Sequence, residues 1–158
     1  MKLKTLENEC VIRLNSRLND EYTAFYFYRS ASNWCKVNGF DNGYKYFLEE
    51  SNQELGHAKR IEDFMADWNI MPTLSPVISI EGFFNIADLL DKAYSLEYGL
   101  LEKYEEDAVH YIDNYISLYT FINQFIQIQN ESVGEYATLI NKLSLTNDLL
   151  LFDTEVLG

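Results

Sequence analysis

The chain has 158 residues, 47% of them hydrophobic, and a formal net charge of −13. This length suits one domain with one core, expected to span residues 1–158, and the low count of 7 Gly and 2 Pro favours long helices over many short strands. The acidic balance argues against a basic face for nucleic acid or an anionic membrane and suits the attraction of cations.

The stretch from Met1 to Asn8 lacks the apolar core of a signal peptide, and no apolar run reaches the ~18 residues of a membrane span. A first helical segment is predicted from about Thr5, a plausible N-cap, to Val37, with the stripe Leu14, Leu18, Glu21, Phe25, Tyr28 and Ser32. Cys10 and Cys35 both fall on it. A rise of ~1.5 Å per residue holds them about 37 Å apart, so free thiols in a reducing cytoplasm are expected. Asn38-Gly39 stops this helix. Asp41 then caps a second segment, running to about Asn69, with the stripe Phe47, Ser51, Glu54, Ala58, Ile61, Met65 and Trp68.

Pro72 and Pro76 break the pattern between Ile70 and Gly82. At about 3.3 Å per residue this stretch can span roughly 43 Å, enough to cross a bundle of such helices. A third segment, about Phe83 to Tyr111, carries Ile86, Leu90, Ala93, Glu97, Leu101, Tyr104 and Ala108 on one face. His110 near its end reads as an exposed or capping residue. A fourth, about Tyr115 to Leu143, carries Leu118, Ile122, Phe125, Gln129, Ser132, Tyr136 and Leu139. The apolar tail from Asp148 to Leu157 suits a short fifth helix that wants burial.

Glu21, Glu54 and Glu97 interrupt apolar stripes, where a carboxylate is expensive unless it is paired or holds a metal. His57 lies one turn from Glu54 on the same face. The interval from Glu21 to Glu54 nearly equals that from Glu97 to Gln129, a faint repeat of two helical hairpins that brings polar midpoints to one level. Glu-x-x-His alone also describes many solvated helix faces; the matching depth of Glu21 and Glu97 favours a metal site. Di-iron carboxylate bundles place single Glu residues on two helices and Glu-x-x-His on the others. Three carboxylates in one pocket repel unless a cation joins them, and oxygen and imidazole ligands suit iron. Glu54 can bridge two metals, with Glu21 and His57 completing one site and Glu97 the other. Gln129 and Ser132 either satisfy hydrogen bonds or line the second metal. Tyr28, two turns from Glu21, serves as core or as a redox or hydrogen-bonding group.

On these residues the chain resembles a non-haem ferritin of the ferroxidase type. The likeness runs from Leu14 to Leu157 and includes Leu18-Asn19-Asp20-Glu21-Tyr22, Asn33-Trp34-Cys35, Phe40 through Phe47, and Glu54-x-x-His57-Ala58-Lys59-Arg60. It continues through Leu96-Glu97 and Lys142-Leu143-Ser144-Leu145. Bacterioferritin and rubrerythrin match less well, lacking counterparts here for a second Glu-x-x-His in the fourth segment and for four rubredoxin cysteines.

The resemblance implies an all-α, ferritin-like four-helix bundle with a long crossover between the second and third helices and a short fifth C-terminal helix. It implies that oxygen or hydrogen peroxide oxidises Fe(II) to Fe(III) at an intrasubunit di-iron centre. Two iron ions per subunit and no haem go with it. It implies a mineral core inside a cytoplasmic homo-oligomeric shell of 24 subunits. Glu21, Glu54, His57, Glu97 and Gln129 match the ferroxidase set and Tyr28 the tyrosine beside it, while Glu49, Glu50 and Glu131 are accessory carboxylates. Gln129-x-x-Ser132 looks like animal heavy chains. Gln53 and Ile128 stand where members carry further ligands, which leaves only those accessory carboxylates for a third iron. No acidic residue occurs between Asn114 and Asn130, where the family's acidic entry channels begin. Two other readings compete: a di-iron oxidase without a mineral core, and a structural bundle with a degenerate site.

Overall fold

Helix α1, Asn8–Val37, buries Cys10, Leu14, Leu18, Glu21, Ala24, Phe27, Tyr28, Ala31, Ser32 and Cys35. Steps of three and four put these on one helical face. The computed structural model describes residues 1–158, which divide into two compact units, Met1–Gly82 and Phe83–Gly158.

In the first unit α1 packs antiparallel on α2, Asp41–Asp67. The reversal is a Schellman-type stop: Gly39 takes φ 84°, and the Phe40 N–H reaches back to the Cys35 carbonyl at 2.9 Å. Only glycine holds that left-handed backbone without a Cβ penalty. Ser32 Oγ donates to the Tyr44 carbonyl at 2.9 Å, Tyr28 stacks on Phe47 at 6.2 Å, and Tyr22 donates to the Glu62 carboxylate. Cys10 and Cys35 are buried and form no disulfide.

The second helix ends at Asp67, short of the expected Asn69, for a local reason. Asn69 adopts φ 60°, while its N–H and that of Ile70 bond the carbonyls of Ala66 and Met65 at 2.9 and 3.0 Å. Asparagine is the side chain, after glycine, that best tolerates this cap. Asn69 Nδ2 also donates to the Lys4 carbonyl, and the Thr73 N–H to Asn15 Oδ1, both at 2.9 Å. These bonds tie the start of the long connection, residues 68–85, back onto the first unit.

The second unit is another antiparallel hairpin, α3 (Ile86–Tyr111) and α4 (Ile116–Leu143), followed by α5 (Leu149–Glu155). Tyr104 stacks on Phe125 at 5.2 Å. Asp148 caps α5 by accepting from the Leu151 N–H at 3.0 Å, and Phe152 is fully buried. No helix is long and apolar enough to cross a membrane.

Helix starts differ from expectation. Thr5 does not cap α1, which begins at Asn8 after Glu7, and Asp41 is the first helical residue of α2 rather than its cap. At that position the Asp41 carboxylate still favours the helix dipole. The third segment begins at Ile86, not Phe83, because Asn85 and Asp88 form a reciprocal cap. Asn85 Oδ1 accepts from the Asp88 N–H at 2.8 Å, and Asp88 Oδ2 accepts from the Phe84 N–H at 3.0 Å. The Phe84 N–H, followed by Lys92, holds the Asp88 carboxyl below its usual range. His110 is half-buried rather than exposed, its ring stacked with Tyr115 at 6.0 Å.

Asn85→Ala should lower unfolding free energy by about 1 kcal/mol in chemical denaturation, as loss of an N-cap does; no change would remove the cap from the account. The Tyr22 phenol is pushed up to about 12 by its hydrogen bond to Glu62, then by burial and the Glu62 charge. A raised folded value means a stabilisation that is complete below the unfolded value of about 10 and lost as pH climbs toward the folded one. The stability gap between wild type and Tyr22→Phe should therefore be flat from pH ~7 to ~9 and narrow above about pH 10. A gap that stays constant through pH ~11 contradicts this.

Candidate metal centre

Glu21, Glu54 and His57 meet inside the first unit. Glu21 is 0% exposed and Glu54 2%, and His57 is partly buried. His57 Nδ1 lies 3.2 Å from Glu54 Oε2 and 3.6 Å from Glu21 Oε2. One ligand atom from each residue lies within 4.8 Å of the others. Spacing explains the convergence. Glu54 and His57 are one turn apart on α2, while Glu21 occupies the buried face of α1 that packs against it.

Two carboxylates at this separation, both charged, repel by about 3 kcal/mol at an effective dielectric of ~20. Their desolvation adds to that cost. A divalent cation at the focus of the three side chains reverses the sign of the interaction, with neutral imidazole as its nitrogen ligand. The donor set is oxygen and nitrogen, the kind that iron and its divalent neighbours take.

The second unit holds a different polar pair. Glu97 and Gln129 are both 0% exposed. The Gln129 amide donates to Glu97 Oε2 at 2.6 Å and to the Glu97 carbonyl at 3.3 Å. Gln129 Oε1 is buried and accepts no hydrogen bond. Gln129 thus fixes the orientation of the Glu97 carboxylate and presents a buried acceptor of its own.

Tyr28 is fully buried, stacked on Phe47 and edge-on to Phe27 at 5.2 Å. Ser132 is half-buried and Glu131 exposed. Two positions along an α-helix turn Glu131 to the opposite side from Gln129, so the structure does not bring it to that pair. Glu50 is buried at 9% exposure, one turn before Glu54, whereas Glu49 and Gln53 are exposed. Sequence reasoning passed over Tyr22 and Glu62, which join the two helices beside the cluster. Each follows a buried stripe residue, Glu21 and Ile61, by one position. That flanking register was the available signal.

A family model described as a ferritin-like domain matches residues 12–146. The chain is 24% identical over 142 residues to a bacterial non-heme ferritin of Escherichia coli, covering 89% of this chain and 86% of the relative. It is 24% identical over 160 residues to one of Staphylococcus epidermidis, covering 96% and 95%. Among solved structures it resembles an open-pore ferritin from the hyperthermophilic archaeon Archaeoglobus fulgidus, with a TM-score of 0.91, 20% identity, and coverage of 96% of this chain and 97% of that one. At that identity the likeness shows the fold, the ferritin-type four-helix bundle with a short C-terminal helix. With the family model spanning most of the sequence, the chain belongs to the ferritin family.

Proposed function

We propose that this protein stores iron, taking up Fe(II) as substrate, oxidising it within each subunit and depositing Fe(III) as a mineral core in a multimeric shell. The observation that carries this reading is the buried Glu21–Glu54–His57 cluster. The names of the bacterial relatives support it, since they are non-heme ferritins. In this reading residues 1–158 act as one domain. Glu21, Glu54 and His57 hold one iron, and Glu97, its carboxylate steered by Gln129, supplies a ligand to the second. Tyr28 stands by as a buried phenol two turns from Glu21.

The chemistry balances simply. Two Fe(II) each give one electron, and dioxygen takes the pair with two protons to become hydrogen peroxide; peroxide as oxidant takes the pair and two protons to become two waters. The protein's part is to bind the ions and to keep their carboxylate ligands charged. No haem is needed, and iron is the cargo rather than a resident group. Buried cysteines outside any disulfide fit a reducing cytoplasm.

The uncharged start of α4, with no acidic residue between Asn114 and Asn130, favours a second reading: an iron-oxidising bundle that keeps no mineral core. Light scattering on the purified protein separates the two. A large closed particle is expected, and a dimer or smaller species contradicts storage. Anaerobic Fe(II) titration should saturate at about two ions per chain. Glu54→Ala should abolish saturable binding, and Glu97→Ala should weaken the second ion by about tenfold or more. Unchanged oxidation in Glu54→Ala overturns the assignment.

A further inference from the structure

The cluster draws its ligands from two helices, so its shape depends on how far α1 has slid along α2. Apolar contacts such as Tyr28 on Phe47 hold the pair together, and their interlocked side chains already limit sliding. Directional bonds fix the slide, and polar cross-helix bonds flank the cluster on both sides. On one side the Tyr22 hydroxyl donates to the Glu62 carboxylate. On the other, Arg29 Nε donates to Ser51 Oγ at 3.4 Å, and further out Ser32 Oγ donates to the Tyr44 carbonyl at 2.9 Å.

These bridges are not equivalent, since the Ser32–Tyr44 bond lies about three turns of α1 from Glu21. The Tyr22–Glu62 and Arg29–Ser51 bonds are each charge-assisted, through the Glu62 carboxylate and the Arg29 guanidinium. The Arg29–Ser51 bond sits at the long limit of hydrogen-bond geometry. Tyr22 also directly follows Glu21, so its restraint acts on the same turn of α1 that carries the ligand. Glu62 lies little more than one turn beyond His57 on α2. A ligand set needs placement within about 0.5 Å to bind well, and a slide of α1 by a fraction of its rise per residue exceeds that.

We infer that Tyr22 and Glu62 are positioning residues that set the metal affinity of the Glu21–Glu54–His57 cluster by holding α1 in register against α2. This rests on the reading of that cluster as an iron site. Neither residue is a ligand in this account; each acts through the hydrogen bond between them.

Anaerobic calorimetry with Fe(II) on the assembled full-length protein tests it, using Tyr22→Phe, Glu62→Ala and Glu62→Gln beside wild type. Tyr22→Phe and Glu62→Ala should each weaken the tighter site by about tenfold, the low end for outer-shell partners. The second site should stay within about twofold, and helix content by circular dichroism should not change. Glu62→Gln keeps an acceptor oxygen for the phenol and should stay within about threefold of wild type. An unchanged tight site in Tyr22→Phe overturns the inference. So does Glu62→Gln falling as far as Glu62→Ala, because Glu62 would then act through its charge. Equal loss at both sites with loss of helix content also overturns it, as that is general unfolding. Wild-type protein that takes up no Fe(II) defeats the iron reading and this inference together, whereas normal wild-type uptake with unaltered variants defeats the inference alone.

Discussion

Two carboxylates and an imidazole occupy interior space between α1 and α2 that leucines would fill at no electrostatic cost. Everything near them reads as a consequence of keeping charge there. The ligands sit close to the middle of their helices, with Glu21 within Asn8–Val37 and Glu54 within Asp41–Asp67. Helix ends fray and middles do not, so a midpoint ligand moves least. Long helices without an internal Pro follow from the same need. The Tyr22–Glu62 bond then adds a directional restraint on the turn of α1 that carries Glu21.

The two units treat their buried carboxylates differently. In the first, Glu21 and Glu54 face one nitrogen, and the arrangement gains most from a cation. In the second, Glu97 is already engaged by the Gln129 amide at 2.6 Å. A hydrogen bond to the charged form favours it, so Glu97 has part of its compensation before any ion arrives. The proposed function inherits this asymmetry as one site rich in protein ligands and one lean site.

Helices, their faces and the polar interruptions in those faces were legible in the sequence because periodicity reports burial directly. Glu21, Glu54, Glu97 and Gln129 announced themselves as polar residues at core positions, and Gly39 as a stop. Helix ends were less legible. Thr5 and Asp41 have cap chemistry but not cap geometry, and the working cap of α3, Asn85 with Asp88, lay among residues assigned to helix. Phe25 falls on the predicted core stripe, yet it is only half-buried while Ala24 and Phe27 are buried, since a 3.6-residue period leaves neighbouring positions hard to tell apart. Tyr22 and Glu62 are far apart in sequence and individually ordinary; only the antiparallel register of α1 and α2 makes them partners.

The central claim is that iron occupies the focus of Glu21, Glu54 and His57. Anomalous diffraction at the iron edge, from crystals soaked anaerobically with Fe(II), tests it most directly. The account predicts a peak within coordination distance of both carboxylates and the imidazole. Iron peaks confined to the protein surface, with none at that cluster, contradict it.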